Sequence, residues 1–388
     1  MTDIIITINP GSATIKLGVF ACESGQARPL GRATVDEVAG TLRLQIGQSR
    51  SEHDLPSGAP ASTMLNQALA RLADRLPIRT PGAIAQLVVH GGDQFAGPAI
   101  IDHSVLAQIE TLIPLAPLHQ PKSVALIRTV RELYPDVAQI ACFDTSFHRT
   151  QSDLVRRYAI PRALFDAGIK RFGFHGLSYQ FIARELERRR PELARGRVVV
   201  AHLGAGASLC ALDGGASRDT TMGFSTLDGV PMATRCGAID PGVLLHLIRA
   251  QGMSAEALED MLYNRSGLLG LSGVSGDARV LVESEAPAAD EALDIFAFRV
   301  AREAAALAAT LGGLDALVFT GGIGEHHAEI RARICARLRW LGVTIDADFN
   351  EANAPDIALS DATIAVLIIS ADEEQAMAEE CAAILISA

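Results

Sequence analysis

Polar side chains recur around a short turn near the start of the chain, between two apolar runs. They are Asn9, Ser12, Thr14 and Lys16. Amide and hydroxyl oxygens suit Mg²⁺ or the hydrogen-bonding needs of a phosphate, and a lysine adds a point charge. The segment therefore predicts a phosphate-binding turn, although a capped hairpin with a surface lysine would use the same residues.

Three further stretches place reactive groups next to apolar segments. In FDTSFHR, Asp144 follows an apolar run, and the carboxyl ends of strands commonly form ligand crevices. In RFGFHGLSY, His175 stands between small and aromatic neighbours, and His119 lies in APLHQP. Either histidine taken alone is more often structural. In DGVPMATRCGAIDP, Arg235 occupies an irregular loop and suits a planar carboxylate or phosphoryl group.

Two polar segments in the second half of the chain allow more than one interpretation. Glu373 and Glu374 open a predicted helix, where carboxylates complement the helix dipole, yet either could equally hold a metal. The turn Ser275 to Arg279 cannot be distinguished from a plain loop by its spacing.

The elements that must position these groups alternate between strands and helices. The patterns predict strands at 4–8, 15–20, 41–46, 84–90, 138–143, 198–203, 207–212, 316–320 and 363–369, and helices at 63–76, 105–112 and 121–134. Both halves open with a small-residue hairpin, and a glycine loop at 321–324 precedes another helical stretch. Two α/β lobes with such turns suit a polyphosphate, although two unrelated hairpins would give the same pattern.

Composition narrows the class of protein. The 388 residues are 49% hydrophobic with a net charge of −11, which argues against nucleic-acid or anionic-membrane partners. Six scattered cysteines without metal spacing indicate reduced thiols, and no apolar run reaches the roughly 18 residues of a membrane span, so a cytoplasmic location is expected. Only three of the 34 basic residues are lysines, and Lys122 and Lys170 are expected at the surface.

Taken in order, these motifs resemble the acetate kinase family, within the acetate and sugar kinase, heat-shock and actin superfamily. The stretches that carry the resemblance are NPGSATIK, VVHGG, APLH, FDTSFH, RFGFHGLS, AHLGAGAS, DGVPMATRCGAIDP, GVSGDAR, TGGIGE and ADEE. The resemblance implies an α/β fold of the two-lobed, actin-like (ribonuclease H-like) ATPase type with a nucleotide cleft between the lobes. It also implies an N-terminal lobe at 1–150, a C-terminal lobe at 151–371, a helix at 372–388 that returns to the first lobe, and a homodimer.

The resemblance further implies ATP-dependent phosphorylation of a short-chain carboxylate such as acetate or propionate, giving an acyl phosphate, or the reverse reaction with ADP. By the family pattern, Asn9 and Glu373 hold Mg²⁺ or Mn²⁺, and Asp144, His175 and Arg235 are catalytic. The acid is contacted from Leu87, His90, His119 and Arg235. The residues expected around the nucleotide are Ser12, Thr14, Lys16, His202, Leu203, Gly204, Ala205, Gly206, Asp277, Ala278, Arg279, Gly322, Ile323, Gly324, Glu325 and His326.

Four positions depart from the family pattern. The arginine that precedes VVHGG and grips the carboxylate is Leu87 here, and it follows Gln86 where a histidine is usual. Asparagines of two nucleotide motifs are Ala205 and His326. Three interpretations follow: an acyl kinase with a rebuilt acid site, the same fold acting on a different small acceptor, or a nucleotide-binding regulatory homologue with little turnover. The retained Asn9 and Lys16, with the catalytic residues, favour the first.

Overall fold

The computed structural model describes residues 3–11, 14–23, 25–56, 58–76 and 80–387. The chain divides into two compact units. Unit 1 comprises Met1–Phe147, Gly176–Phe181 and Asp372–Ala388, and unit 2 comprises His148–His175 and Ile182–Ala371. The lobe limits inferred from the resemblance stay a prediction.

Unit 1 is built on an eight-stranded sheet. Its strands are β1 (Asp3–Pro10), β2 (Thr14–Glu23), β3 (Gln26–Asp36), β4 (Thr41–Ile46), β5 (Ser49–Asp54), β6 (Ala83–Val88), β7 (Ala99–Ile100) and β8 (Ala138–Phe143). The order across the sheet is β5-β4-β3-β2-β1-β6-β8-β7, with β1, β6 and β8 parallel and the β1 to β5 meander antiparallel. The parallel centre brings the carboxyl ends of β1, β6 and β8 to one edge.

Helices cover both faces of this sheet. They are α1 (Ala61–Arg75), α2 (His103–Thr111), α3 (Gln120–Leu133) and, much later in the chain, α16 (Glu373–Ser387). Ile8 and Ile84 pack in one cluster with residues of α1 and α3 such as Leu65 and Leu126. The opposite face meets α16, which contacts β1, β2, β3, β6 and β8. Unit 1 is therefore a helix–sheet–helix sandwich.

Unit 2 repeats this plan on a smaller sheet. Its strands are β9 (Arg197–Leu203), β10 (Ala207–Asp213), β11 (Ala216–Thr220), β12 (Ala316–Thr320) and β13 (Ala365–Ile368), in the order β11-β10-β9-β12-β13. β9, β12 and β13 are parallel, whereas β9 and β10 form an antiparallel hairpin.

The remaining helices belong to the segments between and around these strands. They are α4 (Asp153–Arg156), α5 (Arg162–Asp166), α6 (Gly176–Arg189), α7 (Pro191–Ala194), α8 (Pro241–Gln251), α9 (Ala255–Asn264), α10 (Gly267–Ser272), α11 (Ala278–Val282), α12 (Pro287–Leu311), α13 (Gly321–His326), α14 (Ala328–Arg337) and α15 (Ala347–Glu351), with 3-10 turns at Ile113–Leu115, Ser146–Thr150 and Arg339–Leu341. Within the described residues, no helix has the length and apolarity needed to cross a membrane.

The two predicted hairpins are confirmed, as β1–β2 and β9–β10. Sequence patterns assigned no strand to β3 or β5. β3 contains Pro29 and Gly31, both unfavourable in strands, and Pro29 sits opposite an irregularity in β2. β5 reads SRSEHD and has no apolar alternation. Their pairing with neighbouring strands, rather than their own composition, makes them strands.

Candidate active site

A cluster of one amide and two carboxylates lies at the end of β1. The Asn9 Nδ2 donates hydrogen bonds to Glu373 Oε2 at 2.8 Å and to Glu374 Oε1 at 2.9 Å. β1 carries the asparagine to this edge, and α16 begins with the two glutamates. Because both hydrogen bonds use Nδ2, the side-chain oxygen of Asn9 can serve as a ligand atom for a cation.

Electrostatics in this cluster are dominated by negative charge. Burial raises the pKa of Glu374, and the neighbouring Glu373 raises it further against the opposing effect of Lys16. Desolvation lowers the pKa of Lys16, but the carboxylates of Glu373, Glu374 and Asp372 outweigh it, so the net shift is upward. Lys16 therefore stays protonated at neutral pH, and the cluster still holds more carboxylates than cations.

The turn after β1 is held by a lysine that sequence analysis placed at the surface. The Lys122 Nζ donates to the Gly11 carbonyl at 2.8 Å and pairs with Glu37, and its side chain is 21% exposed. That expectation was wrong, because α3 brings Lys122 against the first hairpin. It was wrong for Lys170 too, which is 9% exposed and lies over the Phe165 ring. Thr14 opens β2, and the amide of Gly11 bonds its carbonyl at 2.8 Å. The predicted Ser12 lies outside the described residues.

Asp144 directly follows β8 and is 8% exposed. Its backbone nitrogen bonds the Val88 carbonyl, its own carbonyl accepts from Gly176, and its Oδ1 accepts from the Leu177 nitrogen at 3.4 Å. A Cβ on Gly176 would overlap the Asp144 carbonyl oxygen, so only glycine fits there. The carboxylate is thus fixed at the carboxyl edge of the unit 1 sheet, as its position after the apolar run predicted.

His90 lies just past β6 and is fully buried. The Gln120 side chain bonds both the nitrogen and the carbonyl of His90, which ties β6 to the start of α3, where His119 is the N-cap. Burial lowers the pKa of His90 to about 4. Its Nδ1 accepts from the Gly92 amide at 2.9 Å, which leaves the proton of the neutral ring on Nε2.

Leu87 is 6% exposed and lies in β6 opposite Cys142 of β8. Residues paired across parallel strands share a sheet face, and Cys142 bonds α16 at Met377, so Leu87 lies on the face that α16 covers. The neighbouring Gln86 points to the other face, where its amide meets that of Gln139 at 2.5 Å. Gln86 therefore does not substitute for the missing arginine.

Unit 2 contains a cavity of about 400 Å³ with walls formed largely by backbone and small side chains. The lining residues are Gly204, Ala205, Ala233, Gly276, Asp277, Ala278, Arg279, Gly322, Ile323, His326 and His327. Gly321, which opens α13, has φ +76°, and a Cβ there would overlap the backbone of Leu203. This close approach joins the ends of β9 and β12 at the cavity.

A histidine and an arginine converge on the turn beside this cavity. A Cβ on Gly206 would lie 3.4 Å from His175 Nε2 and 3.8 Å from an Arg235 guanidinium nitrogen. His175 stacks on His202 with ring centroids 4.4 Å apart, and its Nδ1 is 2.8 Å from Ser208 Oγ. Sequence analysis missed Ser208, although its position two residues after Gly206, at the start of β10, was a usable signal.

Arg235 bonds only neutral acceptors, the Thr226 carbonyl at 3.2 Å and Met232 Sδ at 3.5 Å. Burial lowers its pKa, and Tyr263 partly opposes this shift. No carboxylate of the described chain pairs with it. A half-buried guanidinium that pairs with no carboxylate is suited to binding an anionic ligand.

Other predicted nucleotide residues have structural partners. Glu325 Oε1 accepts from the nitrogens of Gly321 and Ala371, at 2.9 and 3.1 Å, and so ties α13 to the end of the sheet. Asp277 forms a bidentate ion pair with Arg279, which lowers the pKa of that carboxyl. His202, Leu203, Gly206, Gly324 and Glu325 are not among the residues that line the cavity.

A family model described as the acetokinase family matches residues 4–379. An acetate kinase of Nitrobacter hamburgensis is 45% identical, covering 99% of this chain and 96% of the relative. An acetate kinase of Rhodopseudomonas palustris is 43% identical, covering 96% of each chain. This chain belongs to the acetokinase family.

Solved structures agree with the family assignment. A propionate kinase from Francisella tularensis aligns with a TM-score of 0.90 at 31% identity, over 97% of this chain and 98% of that one. The acetate kinase of Porphyromonas gingivalis gives a TM-score of 0.88 at 29% identity, over 99% and 100%. The acetokinase has the actin-like ATPase fold, as the motifs predicted.

The donor set at Asn9 fits a magnesium ion. Amide and carboxylate oxygens are hard ligands, and Mg²⁺ is usually held by one or two carboxylates together with substrate phosphates rather than by a complete protein cage. The raised pKa of Glu374 also indicates a site that would gain from a cation.

Proposed function

We propose that this acetokinase transfers the γ-phosphoryl group of ATP to the carboxylate of a short-chain acid, giving an acyl phosphate and ADP, and catalyses the reverse reaction. Family membership makes the chain a phosphotransferase that acts on a carboxyl group with ATP or ADP as co-substrate. The observation that carries the residue assignment is the convergence of His175 and the unpaired Arg235 on the Gly206 turn, beside the 400 Å³ cavity.

Phosphoryl transfer depends chiefly on positioning and on neutralising charge on the equatorial phosphoryl oxygens. Arg235 supports this role because its guanidinium has only neutral partners. His175 would donate from Nε2 while Ser208 holds Nδ1. The cavity residues, including Ala205 and His326 at the two altered motif positions, would hold the nucleotide.

The acid acceptor needs no general base. A carboxylic acid with a pKa near that of glutamic acid, about 4.3, is already ionised at pH 7. Asp144, fixed by Gly176 and Leu177, would therefore orient reacting groups rather than remove a proton. An Asp144→Asn variant with near-native activity would disprove an essential role.

Asn9 and Glu373 would hold Mg²⁺, together with Glu374, which sequence analysis left as an alternative. Bound there, the ion would neutralise charge on the phosphate oxygens of the nucleotide. Lys16, kept protonated by the same carboxylates, would contribute a second positive charge to the transferred group.

The acid site is proposed to be rebuilt around Leu87. An arginine at an anion site supplies charge-assisted hydrogen bonds worth about 1.5–3 kcal/mol each, and leucine supplies none. Gln86 faces away and supplies no replacement at this position. Acetate, which offers little apolar surface, would lose most, and propionate would be a better substrate.

The test is to trap acyl phosphate with hydroxylamine over acids of one to six carbons, with ATP and Mg²⁺. Product with propionate and weaker use of acetate is expected, and Leu87→Arg should shift the preference towards acetate. Acetate use at ordinary acetate kinase efficiency would refute the rebuilt site. Absence of product with every acid, despite ATP binding, would favour the regulatory homologue instead.

We also propose that the protein is a homodimer through α8. This helix carries Val243, Leu245 and Ile248 at 42%, 51% and 44% exposure, and none of its residues is buried. Exposed apolar side chains such as Leu245 and Ile248, which lie three residues apart on one side of the helix, suit an interaction site, and two-fold pairing of one surface with its copy is the commonest form of oligomer. Light scattering should give a mass of twice 41.0 kDa, and Leu245→Glu should give monomers. A native monomer would contradict the proposal.

A further inference from the structure

Arg331 is the largest fully buried side chain among the described residues, with 0% exposure. It lies in α14 and donates four hydrogen bonds: Nε to Asn350 Oδ1 at 2.8 Å, one terminal nitrogen to the Gly324 carbonyl at 2.9 Å, and the other to the Asn350 carbonyl and to Asn353 Oδ1, both at 2.7 Å. All these acceptors are neutral. The hydrogen bonds satisfy the guanidinium geometrically but leave its charge uncompensated.

An uncompensated buried charge is rare in folded proteins because removing an ion from water is costly. No carboxylate of the described chain lies within ion-pair distance of Arg331. Burial lowers its pKa, and Cys335 and the exposed Glu351 oppose that shift without reversing it. Because guanidinium groups keep their proton even when buried, the site remains positively charged at neutral pH.

The charge lies directly behind one wall of the nucleotide cavity. Gly324, which accepts from Arg331, belongs to α13, and its neighbours Gly322, Ile323 and His326 line the cavity. His327 also lines it, and Arg331 is among the groups that lower the pKa of His327, although desolvation is the larger cause. The field of Arg331 therefore reaches a residue of the cavity surface.

We propose that Arg331 is a positioning residue that holds α13 at the cavity and that its uncompensated charge selects nucleotides carrying phosphate groups over the bare nucleoside. The inference rests on the proposed nucleotide site and deepens it. No carboxylate of the described chain pairs with this guanidinium. The phosphates of a bound nucleotide would supply the negative charge without touching it. Through a low-dielectric interior, a charge acts on a bound phosphate with less screening than it would through water.

The decisive variant is Asn353→Asp. Asn353 is exposed and has φ +49°, a conformation that aspartate also tolerates, and the new carboxylate would take the place of the oxygen that already accepts from Arg331. The substitution neutralises the guanidinium with almost no change of shape. Asn353→Ala is the matched control, because it removes the same hydrogen bond without adding charge.

Binding of ADP and of adenosine would be measured by titration calorimetry for the native protein and both variants. Asn353→Asp should weaken ADP binding about tenfold while changing adenosine binding less than about twofold. Asn353→Ala should change ADP binding less than about threefold. Arg331→Gln should also weaken ADP more than adenosine, provided that urea unfolding shows a folded protein.

An unchanged ADP affinity in Asn353→Asp, or equal losses for ADP and adenosine, would overturn the inference and leave Arg331 with a packing role alone. Failure of the proposed nucleotide site is distinguishable, because the native protein would then bind neither ligand. The comparison within one protein, ADP against adenosine, separates charge from loop position, since a displaced α13 would weaken both ligands.

Discussion

The carboxylate cluster of unit 1 and the cavity region of unit 2 have opposite electrostatic defects. Around Asn9, three carboxylates surround Lys16, and burial raises the pKa of Glu374. Around the cavity, Arg235 and Arg331 have only neutral partners, and burial lowers their pKa values. The first cluster holds more carboxylates than cations, whereas the second region holds two arginines that pair with no carboxylate of the described chain.

The largest effect is expected when Arg235, on the turn beside the cavity, is removed. Arg235→Ala should lower kcat about 10²- to 10³-fold, since one charged donor to a developing transition state is typically worth that much. Arg235→Lys should recover part of the loss. Steady-state kinetics at saturating ATP measure the effect, with circular dichroism as the check on folding. A loss of kcat below about threefold would contradict the role given to the unpaired Arg235 in this comparison.

Each unit also contains a buried histidine, and these two histidines predict that the stability of both units responds to acid in the same way. Burial lowers the pKa of His90 in unit 1 and of His148 in unit 2 to about 4 in each case. Since the unfolded chain takes up these protons near pH 6.5, the free energy of unfolding should fall as pH drops from 6.5 towards 4. Each histidine contributes at most about 3 kcal/mol to that fall.

Urea denaturation at several pH values measures this slope. His148→Gln should reduce the pH dependence, whereas His103→Gln, at an exposed position of α2, should leave it unchanged. An unaltered slope in His148→Gln would show that the acid sensitivity has another origin.

In unit 1, Glu374→Gln should separate stability from metal use. The raised pKa means that the folded state binds the carboxyl proton more tightly than the unfolded state, so the ionised group costs stability as pH rises through these values. Without Mg²⁺ at pH 7.5, the variant should be more stable than the native protein, while the Mg²⁺ needed for half-maximal activity rises about tenfold.

Glu132→Gln, at an exposed position of α3 in the same unit, is the control and should change neither quantity. If Glu374→Gln destabilised the metal-free protein, the excess of negative charge around Asn9 would not be a cause of lower stability.

The smallest effect is expected for Ser208→Ala, which removes the hydroxyl beside His175 Nδ1. A neutral hydrogen bond contributes about 0.5–1.5 kcal/mol, so kcat should fall roughly two- to tenfold. The KM for ATP should change less than twofold, and Ser208→Thr should restore kcat. Equal changes in kcat and KM would indicate a general disturbance of the turn.

Sequence patterns predicted the hairpins and the carboxyl-edge aspartate because each depends on local chemistry: small residues in turns, and a polar group after an apolar run. Lys122 was misjudged because its partners, Gly11 and Glu37, lie 111 and 85 residues away. Long-range pairs of this kind leave no periodic trace in one sequence.

Arg331 was overlooked among the several arginines of α14, but it left a signal. It precedes Ile334 and Cys335 by three and four residues, and all three are buried, so the arginine occupies the apolar stripe of its helix. In a sequence, a charged residue on the apolar stripe of a helix is therefore as informative as a motif.

The position of α16 has a consequence for synthesis on the ribosome. The helix completes one face of the unit 1 sheet and brings Glu373 and Glu374 to Asn9, yet it follows every residue of unit 2 in the chain. The strands of unit 1 are therefore synthesised first, and the apolar face around Leu87 and Cys142 stays uncovered while the roughly 220 residues of unit 2 are translated, a delay on the order of ten seconds or more. Chaperone binding in that interval, and proteolysis of chains that stop before Glu373, would act on this face.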